Sequence, residues 1–174
     1  MDFQKYYIQG QQTVDKNRNN HIEFASYKFV DKETEKAEIC FVIYNGVTTV
    51  SGDYGNWVFN KPLHPSKEWL PINIPYLLEK LRMYSTQQPC VWDEQEALAG
   101  VNEWVKCREN ITDEEIDWAQ QLIYSVETEH EYIHVAYYNK PESVNTEDVP
   151  ISKKLNPQLV IVFQAFEHIC KKMI

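Results

Sequence analysis

The fold of this chain is decided by the stretch AEICFVIYNGVTTVS, residues 37–51. Residues 37–44 are rich in β-branched and aromatic side chains, and residues 47–51 resume the same pattern. Asn45 and Gly46 between them form the strongest short hairpin signal, because both residue types accept the positive φ angles of the tightest turns. The stretch therefore predicts two antiparallel strands joined by a two-residue turn.

Neighbouring segments extend this hairpin into a larger sheet. Residues 21–30 have a similar aromatic and β-branched character, and the glycine-containing turn at residues 52–55 leads into another short strand at residues 56–60. Residues 1–20 are polar and weakly patterned, so we expect a polar arm there. The sequence thus predicts an N-terminal antiparallel sheet of about four strands over residues 21–60.

Helical signals dominate the chain after residue 73. Pro75 fits the first turn of a short helix over residues 73–84, and residues 93–108 place apolar side chains on one face. Thr112 and Glu115 have the spacing of a capping box, in which each side chain bonds the backbone of the other. We expect the helix that follows to extend as far as Tyr138. Its predicted apolar stripe is Ile116, Ala119, Ile123, Val126, Ile133 and Tyr137.

Asn156 and Pro157 open a last helix after a loop at residues 141–150. Its apolar stripe must pack on the sheet or on the long helix, and consists of Leu159, Val162, Phe163, Phe166, Ile169, Cys170 and Met173. Strands followed by helices predict a single α+β domain over residues 1–174, with its helical region at residues 73–174.

Length and composition limit the class of protein. The chain has 174 residues, 43% of them hydrophobic, which is enough to bury a core and excludes wholesale disorder. Its longest apolar run spans residues 39–44, whereas a bilayer requires about 20 residues. The first residues lack the pattern of a signal peptide, so we expect a cytosolic protein that does not enter membranes. The cysteines are too scattered to predict disulfides or a cysteine zinc site: Cys40, Cys90, Cys107 and Cys170.

The net charge of −9 is concentrated in residues 112–148. This stretch holds ten acidic residues and one base, Lys140, so the other 16 acids are balanced by 16 bases. Such a stretch repels phosphate backbones, which argues against direct nucleic-acid binding, and attracts basic surfaces. It is either a solvated helix face or a patch that occupies a groove built for DNA or RNA. The candidate contact residues are Asp113, Glu114, Asp117, Glu127, Glu129 and Glu131.

The string His130-Glu131-Tyr132-Ile133-His134 matches the H-E-x-x-H pattern of zinc proteases. On a helix, His130 and His134 would share a face as zinc ligands, with Glu131 as the general base. A third ligand has no supporting motif, and Lys140 stands where a third histidine would be expected. We also place His130 on the apolar stripe, where a hydrogen-bonded core histidine is the ordinary explanation. We therefore expect no metal and no other cofactor, and keep a zinc-dependent metallohydrolase as the alternative.

Three strings carry a resemblance to known proteins: GDYGNWVF at residues 52–59 with HPS at residues 64–66, LEKLR at residues 78–82, and VIVFQAFEHIC at residues 160–170. Together they resemble a group of small, acidic, mostly uncharacterised proteins of bacterial phages and prophages. The resemblance implies a protein that acts in the cytoplasm of an infected bacterial host. It implies no reaction, so no catalytic residue is carried over.

Charge and resemblance together give the leading hypothesis. It is a phage-encoded, non-enzymatic inhibitor of a bacterial defence system, with an anti-CRISPR protein as the specific case. Its partner would be a host defence protein with a basic nucleic-acid-binding surface, such as a CRISPR effector nuclease. A further alternative is a regulatory or structural phage protein that forms a homodimer through its C-terminal helix.

Overall fold

The computed structural model describes residues 1–15, 21–84 and 88–172, and its contacts divide the chain into two compact units. The sheet unit comprises Met1–Pro89 and Leu155–Ile174, and the helical unit comprises Cys90–Lys154. The sequence predicts one α+β domain. The α+β class is confirmed, and the division into two units is an additional feature of the structure.

The sheet unit contains an antiparallel sheet, whose six strands in the described residues lie side by side in chain order. They are β1 (Tyr6–Asp15), β2 (His21–Asp31), β3 (Ala37–Tyr44), β4 (Val47–Gly52), β5 (Trp57–Phe59) and β6 (Leu81–Tyr84). β2 to β5 are the four strands that the sequence predicts. The turn between β3 and β4 has positive φ angles of 50° at Asn45 and 78° at Gly46, as the hairpin signal requires.

The polar arm predicted for the N-terminus is wrong, because Tyr6–Asp15 forms the edge strand β1. It pairs with β2 over its full length, with Ile8 opposite Phe29 and Gly10 opposite Tyr27. An edge strand has one neighbour only, and most side chains of β1 remain exposed. Its polar composition therefore hides the alternating pattern by which strands are recognised.

The short predicted helix ends earlier than expected, and β6 follows it directly. α1 (Ile74–Lys80) begins after Asn73, whose side chain accepts a hydrogen bond of 3.0 Å from the Tyr76 backbone N–H. At Leu81 the backbone becomes extended, and Leu81 pairs with Phe59 of β5. Leu81 continues the apolar spacing of α1, so periodicity could not separate the helix from the strand.

The C-terminal helix α5 (Pro157–Lys172) packs across the sheet, as one of the two predicted arrangements has it. The ring of Phe166 lies 6.1 Å from that of Phe41, and Phe163 lies 6.1 Å from Phe59. All the predicted stripe residues up to Cys170 are buried in this core, and Met173 lies outside the described residues. The described part of the stripe is thus covered within the chain.

The helical unit contains α2 (Glu94–Cys107), α3 (Asp113–Tyr124) and α4 (Glu129–Tyr138). Two short strands, β7 (Cys90–Trp92) and β8 (Lys153–Leu155), pair at its ends. Its core lies around Trp118 and Tyr132, both fully buried. The indole N–H of Trp118 donates to the Val135 carbonyl oxygen at 3.1 Å, which ties α3 to α4.

The single long helix predicted to extend to Tyr138 is wrong, because the chain breaks between α3 and α4. The Ser125 hydroxyl donates to the Leu122 carbonyl at 3.0 Å, and the Thr128 hydroxyl accepts from the Glu131 backbone N–H at 3.3 Å. Thr128 therefore begins a new helix as its N-cap. The predicted stripe is only partly buried, and Tyr137 is exposed, whereas Trp118 and Leu122 occupy the core.

Candidate functional site

The two units differ sharply in charge. Residues 90–154 contain 15 acidic and five basic residues, which gives the helical unit a net charge of −10. The sheet unit contains the other 11 acids and 12 bases, a net charge of +1. The acidic region thus begins before Thr112, where the sequence prediction placed its start, and coincides with one folded unit.

Most basic residues of the helical unit are already engaged within it. The ion pairs are Arg108 with Glu115 and with Asp148, both at 3.7 Å, Lys153 with Glu129 at 2.5 Å, and Lys154 with Asp93 at 3.3 Å. The Lys140 ammonium donates to the carbonyl oxygens of Pro141 and Val144. Of the five bases, Lys106 remains to offset the other carboxylates.

Eleven carboxylates are exposed, and none of them forms an ion pair within the described residues. We call this set the acidic surface. It consists of Glu94, Glu96, Glu103, Glu109, Asp113, Glu114, Asp117, Glu127, Glu131, Glu142 and Glu147.

Helix stability accounts for only part of this set. Five members lie in the first turns of α2, α3 and α4, where a negative charge stabilises the helix through its dipole: Glu94, Glu96, Asp113, Glu114 and Glu131. The other six lie outside those turns: Glu103, Glu109, Asp117, Glu127, Glu142 and Glu147. The dipoles of α2, α3 and α4 therefore do not account for the charge of these six, of which Glu103 accepts a hydrogen bond from the Cys107 thiol at 3.3 Å.

Five of the six predicted contact residues belong to the acidic surface. On α3, Asp117 follows Asp113 by four residues and Glu114 by three, so the three side chains share one side of the helix. The exception is Glu129, which is half-buried and paired with Lys153. The acids of α2 are missing from the predicted set, although a count of charge over the whole helical segment from residue 93 onward includes them.

Glu115 is acidic but has a structural role. Its carboxylate accepts hydrogen bonds from the Thr112 backbone N–H at 2.9 Å and from the Ser143 hydroxyl at 3.0 Å. The Thr112 hydroxyl accepts from the Glu115 N–H at 3.2 Å, so the predicted capping box is confirmed. The Thr112 N–H, and further the Ser143 hydroxyl and Arg108, lower the pKa of Glu115 against the opposing effect of burial.

We expect Glu115→Gln to destabilise the helical unit at neutral pH. A carboxyl whose pKa is lowered by folding stabilises the protein above its usual pKa of 4.5, and this contribution is lost as the pH falls through the lower, folded value. The difference in unfolding free energy between wild type and variant should therefore shrink at acidic pH. Urea titrations at pH 7, 5 and 3 measure it. The matched control is Glu114→Gln, next to it but exposed, and an equal effect of the two substitutions would contradict the assignment.

The H-E-x-x-H string lies on α4, but its histidines point away from the core. His130 and His134 are both exposed, so the predicted place of His130 on an apolar stripe is wrong. The His134 ring lies 5.0 Å from the Tyr138 ring. Among the described residues no group of three His, Cys, Asp or Glu side chains is arranged to hold a metal ion. The described residues therefore place no third ligand beside His130 and His134 for the zinc hypothesis.

The glycine-containing turn at residues 52–55 has a structural role. Its glycines have φ angles of 133° at Gly52 and 92° at Gly55. Trp57, which follows in β5, is fully buried and its indole N–H donates to the Tyr54 carbonyl at 2.8 Å. The most distinctive string of the sequence is thus explained by a tight turn and a core strand.

No protein-family model, curated protein or solved structure that was compared with the chain matches it. Within residues 1–15, 21–84 and 88–172, no helix has the length and apolar character to cross a membrane.

Proposed function

We propose that the protein is a non-enzymatic binding protein whose acidic surface occupies the basic nucleic-acid-binding groove of a partner protein. One observation carries this proposal: eleven exposed carboxylates without an ion pair in the described residues lie on a single unit, while the rest of the chain is almost neutral. Charge of one sign on one unit opposes its own folding by self-repulsion. A basic partner would remove that repulsion on binding.

The spacing of the acids suits a groove that binds phosphates. Asp113 and Asp117 are separated by about 6 Å along α3, because each helical residue rises about 1.5 Å. Lysine and arginine side chains that contact successive phosphates would find carboxylates at a comparable repeat. Complementary charge of this kind accelerates association and selects the partner, and it excludes nucleic acid from the acidic surface itself.

The resemblance to phage and prophage proteins supports a bacterial defence protein as the partner. RNA-guided nucleases hold their heteroduplex in a positively charged channel that recognises backbone shape and charge. An acidic unit bound in such a channel would exclude guide or target. We therefore infer that the protein acts in the cytoplasm of an infected host as an inhibitor of a defence nuclease, with a CRISPR effector as the specific case.

The test is a binding measurement with a five-residue variant of the acidic surface. It combines Asp113→Asn, Glu114→Gln, Asp117→Asn, Glu127→Gln and Glu131→Gln. Biolayer interferometry against a purified Cas9-type nuclease, with and without guide RNA, should show binding of the wild type and an affinity at least about tenfold weaker for the variant. Added target DNA should compete with the wild type.

A control variant with the same charge change separates local contact from net charge. Five exposed acids of the sheet unit are changed to their amides: Glu23, Glu33, Glu35, Asp53 and Glu68. This variant should bind as the wild type does. Equal losses in the two variants, or no binding of the wild type to the nuclease, would refute the proposal.

A further inference from the structure

The sheet unit contains a cavity of about 670 Å³ between β1 and the C-terminal half of α5. α5 contributes His168 and Lys172 to its wall, and β2 contributes Tyr27. The cavity exists because β1 has Gly10 opposite Tyr27, where a side chain would otherwise extend toward the helix. A Cβ atom built at Gly10 would lie 3.5 Å from the Tyr27 ring, an ordinary van der Waals contact.

A smaller cavity of about 200 Å³ adjoins the first one. Both are lined by Tyr6, Lys32, His168 and Lys172. These four residues, two of them lysines, therefore lie where the two cavities meet. A ligand in the larger cavity would reach this basic cluster at one end.

The basic cluster retains unused hydrogen-bond donors. The Lys32 ammonium donates to the Gln4 carbonyl oxygen at 2.6 Å, which leaves two of its three hydrogens for other acceptors. Neither Lys32 nor Lys172 forms an ion pair within the described residues, whereas the neighbouring Lys171 lies 2.7 Å from Glu167. An anion bound here would offset the repulsion between these positive groups.

Two carboxylates lie near Tyr6, and both accept hydrogen bonds within the chain. Glu38 accepts a hydrogen bond of 2.5 Å from the Tyr6 hydroxyl. Asp31 accepts from the backbone N–H groups of Glu33 and Thr34 at 2.8 and 2.7 Å. Burial, and then the ammonium groups of Lys172 and Lys171, lower the pKa of His168 and so favour its neutral ring, which can donate one hydrogen bond and accept one.

The remaining wall is mainly aromatic and aliphatic. Tyr6, Tyr7 and Tyr27 line it together with Ile8 and Ile169. Tyrosine rings stack on planar ligands. The cavity volume lies within the range of about 300–1,000 Å³ that is typical of sites for small organic molecules.

We propose that this cavity binds a small organic anion in which a planar aromatic ring carries a phosphate, sulfonate or carboxylate group. The ring lies against the tyrosines of β1 and β2, and the anionic group is bound by Lys32 and Lys172. The site belongs to the sheet unit and is separate from the acidic surface, so it adds a ligand to the proposed function.

The probe for the test is 8-anilinonaphthalene-1-sulfonate, which joins an aromatic body to a sulfonate. Titrated into the folded full-length chain, its fluorescence should saturate at one site per chain. Lys32→Gln combined with Lys172→Gln should weaken binding at least about tenfold. Lys36→Gln combined with Lys67→Gln is the matched control, because these exposed lysines of the same unit lie outside the cavity. Unchanged affinity in the first variant would overturn the proposal.

A second variant and two competitors test the shape of the site. Gly10→Leu should fill the cavity and abolish probe binding, with a cooperative thermal transition showing that the variant is folded. Adenosine monophosphate should displace the probe, and decanoate, an anion without a ring, should not. Displacement by decanoate alone, or full probe binding by a folded Gly10→Leu variant, would refute an aromatic-anion site.

Discussion

Replacing Gly52 by alanine should lower the free energy of unfolding by about 4 kcal/mol. Gly52 ends β4 with a φ of 133°, a conformation that residues with a side chain rarely adopt. A Cβ atom there would lie 2.0 Å from the Glu38 carbonyl oxygen. That oxygen accepts the Asp53 backbone N–H at 2.9 Å, so it cannot move aside without opening the connection between β3 and β4. Urea denaturation followed by tryptophan fluorescence measures the loss, with Trp57 as a buried reporter.

Gly46→Ala is the matched control for this prediction. Gly46 also has a positive φ, 78°, but a Cβ atom built there has no neighbour within 4 Å. Its substitution should cost only about 1 kcal/mol, the cost of the left-handed conformation alone. Equal losses at Gly46 and Gly52 would show that the contact with Glu38 does not determine the stability of the turn.

The strands that the sequence predicts are those that border the core. β3 alternates buried and less buried residues along its length, and this period of two is visible in the sequence. β1 was missed because its inner face has Gly10 and Gln12, both exposed, where a core strand would have apolar side chains. The lack of apolar side chains at these two positions also leaves the cavity next to α5. The failed strand prediction and the proposed ligand site thus have the same structural cause.

The break between α3 and α4 did have a signal in the sequence. Thr128 precedes Glu131 by three residues, which is the same spacing as in the capping box of Thr112 and Glu115. The overlapping H-E-x-x-H pattern is typical of a single continuous helix and therefore favours the wrong prediction. The apolar spacing continues across residues 125–128, so periodicity favoured the same error.

The sequence identifies the acidic residues of the candidate site, but it does not show which of them are exposed and which are buried or paired. Glu114 and Glu115 are neighbours in the chain, yet one is exposed and the other is buried under Ser143 and Arg108. Glu129 is paired with Lys153, which is 24 residues away in the sequence. Such pairings depend on tertiary contacts, which local patterns do not encode. The cavity cannot be predicted from local patterns for the same reason, because its wall combines residues from both ends of the chain.

The second large effect is expected in the helical unit, where Trp118→Ala should cost about 4 kcal/mol of stability. Trp118 is 1% exposed, and its ring meets the Trp104 ring edge-on with centroids 5.2 Å apart. Truncation leaves a cavity between α3 and its neighbours and removes the indole hydrogen bond to the Val135 carbonyl, which then keeps only the bond from the Asn139 backbone N–H at 3.3 Å. Hydrogen exchange measured over residues 90–154, together with urea denaturation, reports the loss.

Tyr124→Ala is the control on the same helix, because Tyr124 is 84% exposed and its truncation should change stability by no more than about 0.5 kcal/mol. The comparison also bears on function, since the carboxylates of α3 and α4 hold their positions only while these helices are packed together. Trp118→Ala should therefore weaken the proposed partner binding at temperatures where the helical unit unfolds, although it removes no charge. Binding that persists after the unit has unfolded would mean that charge alone, without the helical arrangement, is what the partner recognises.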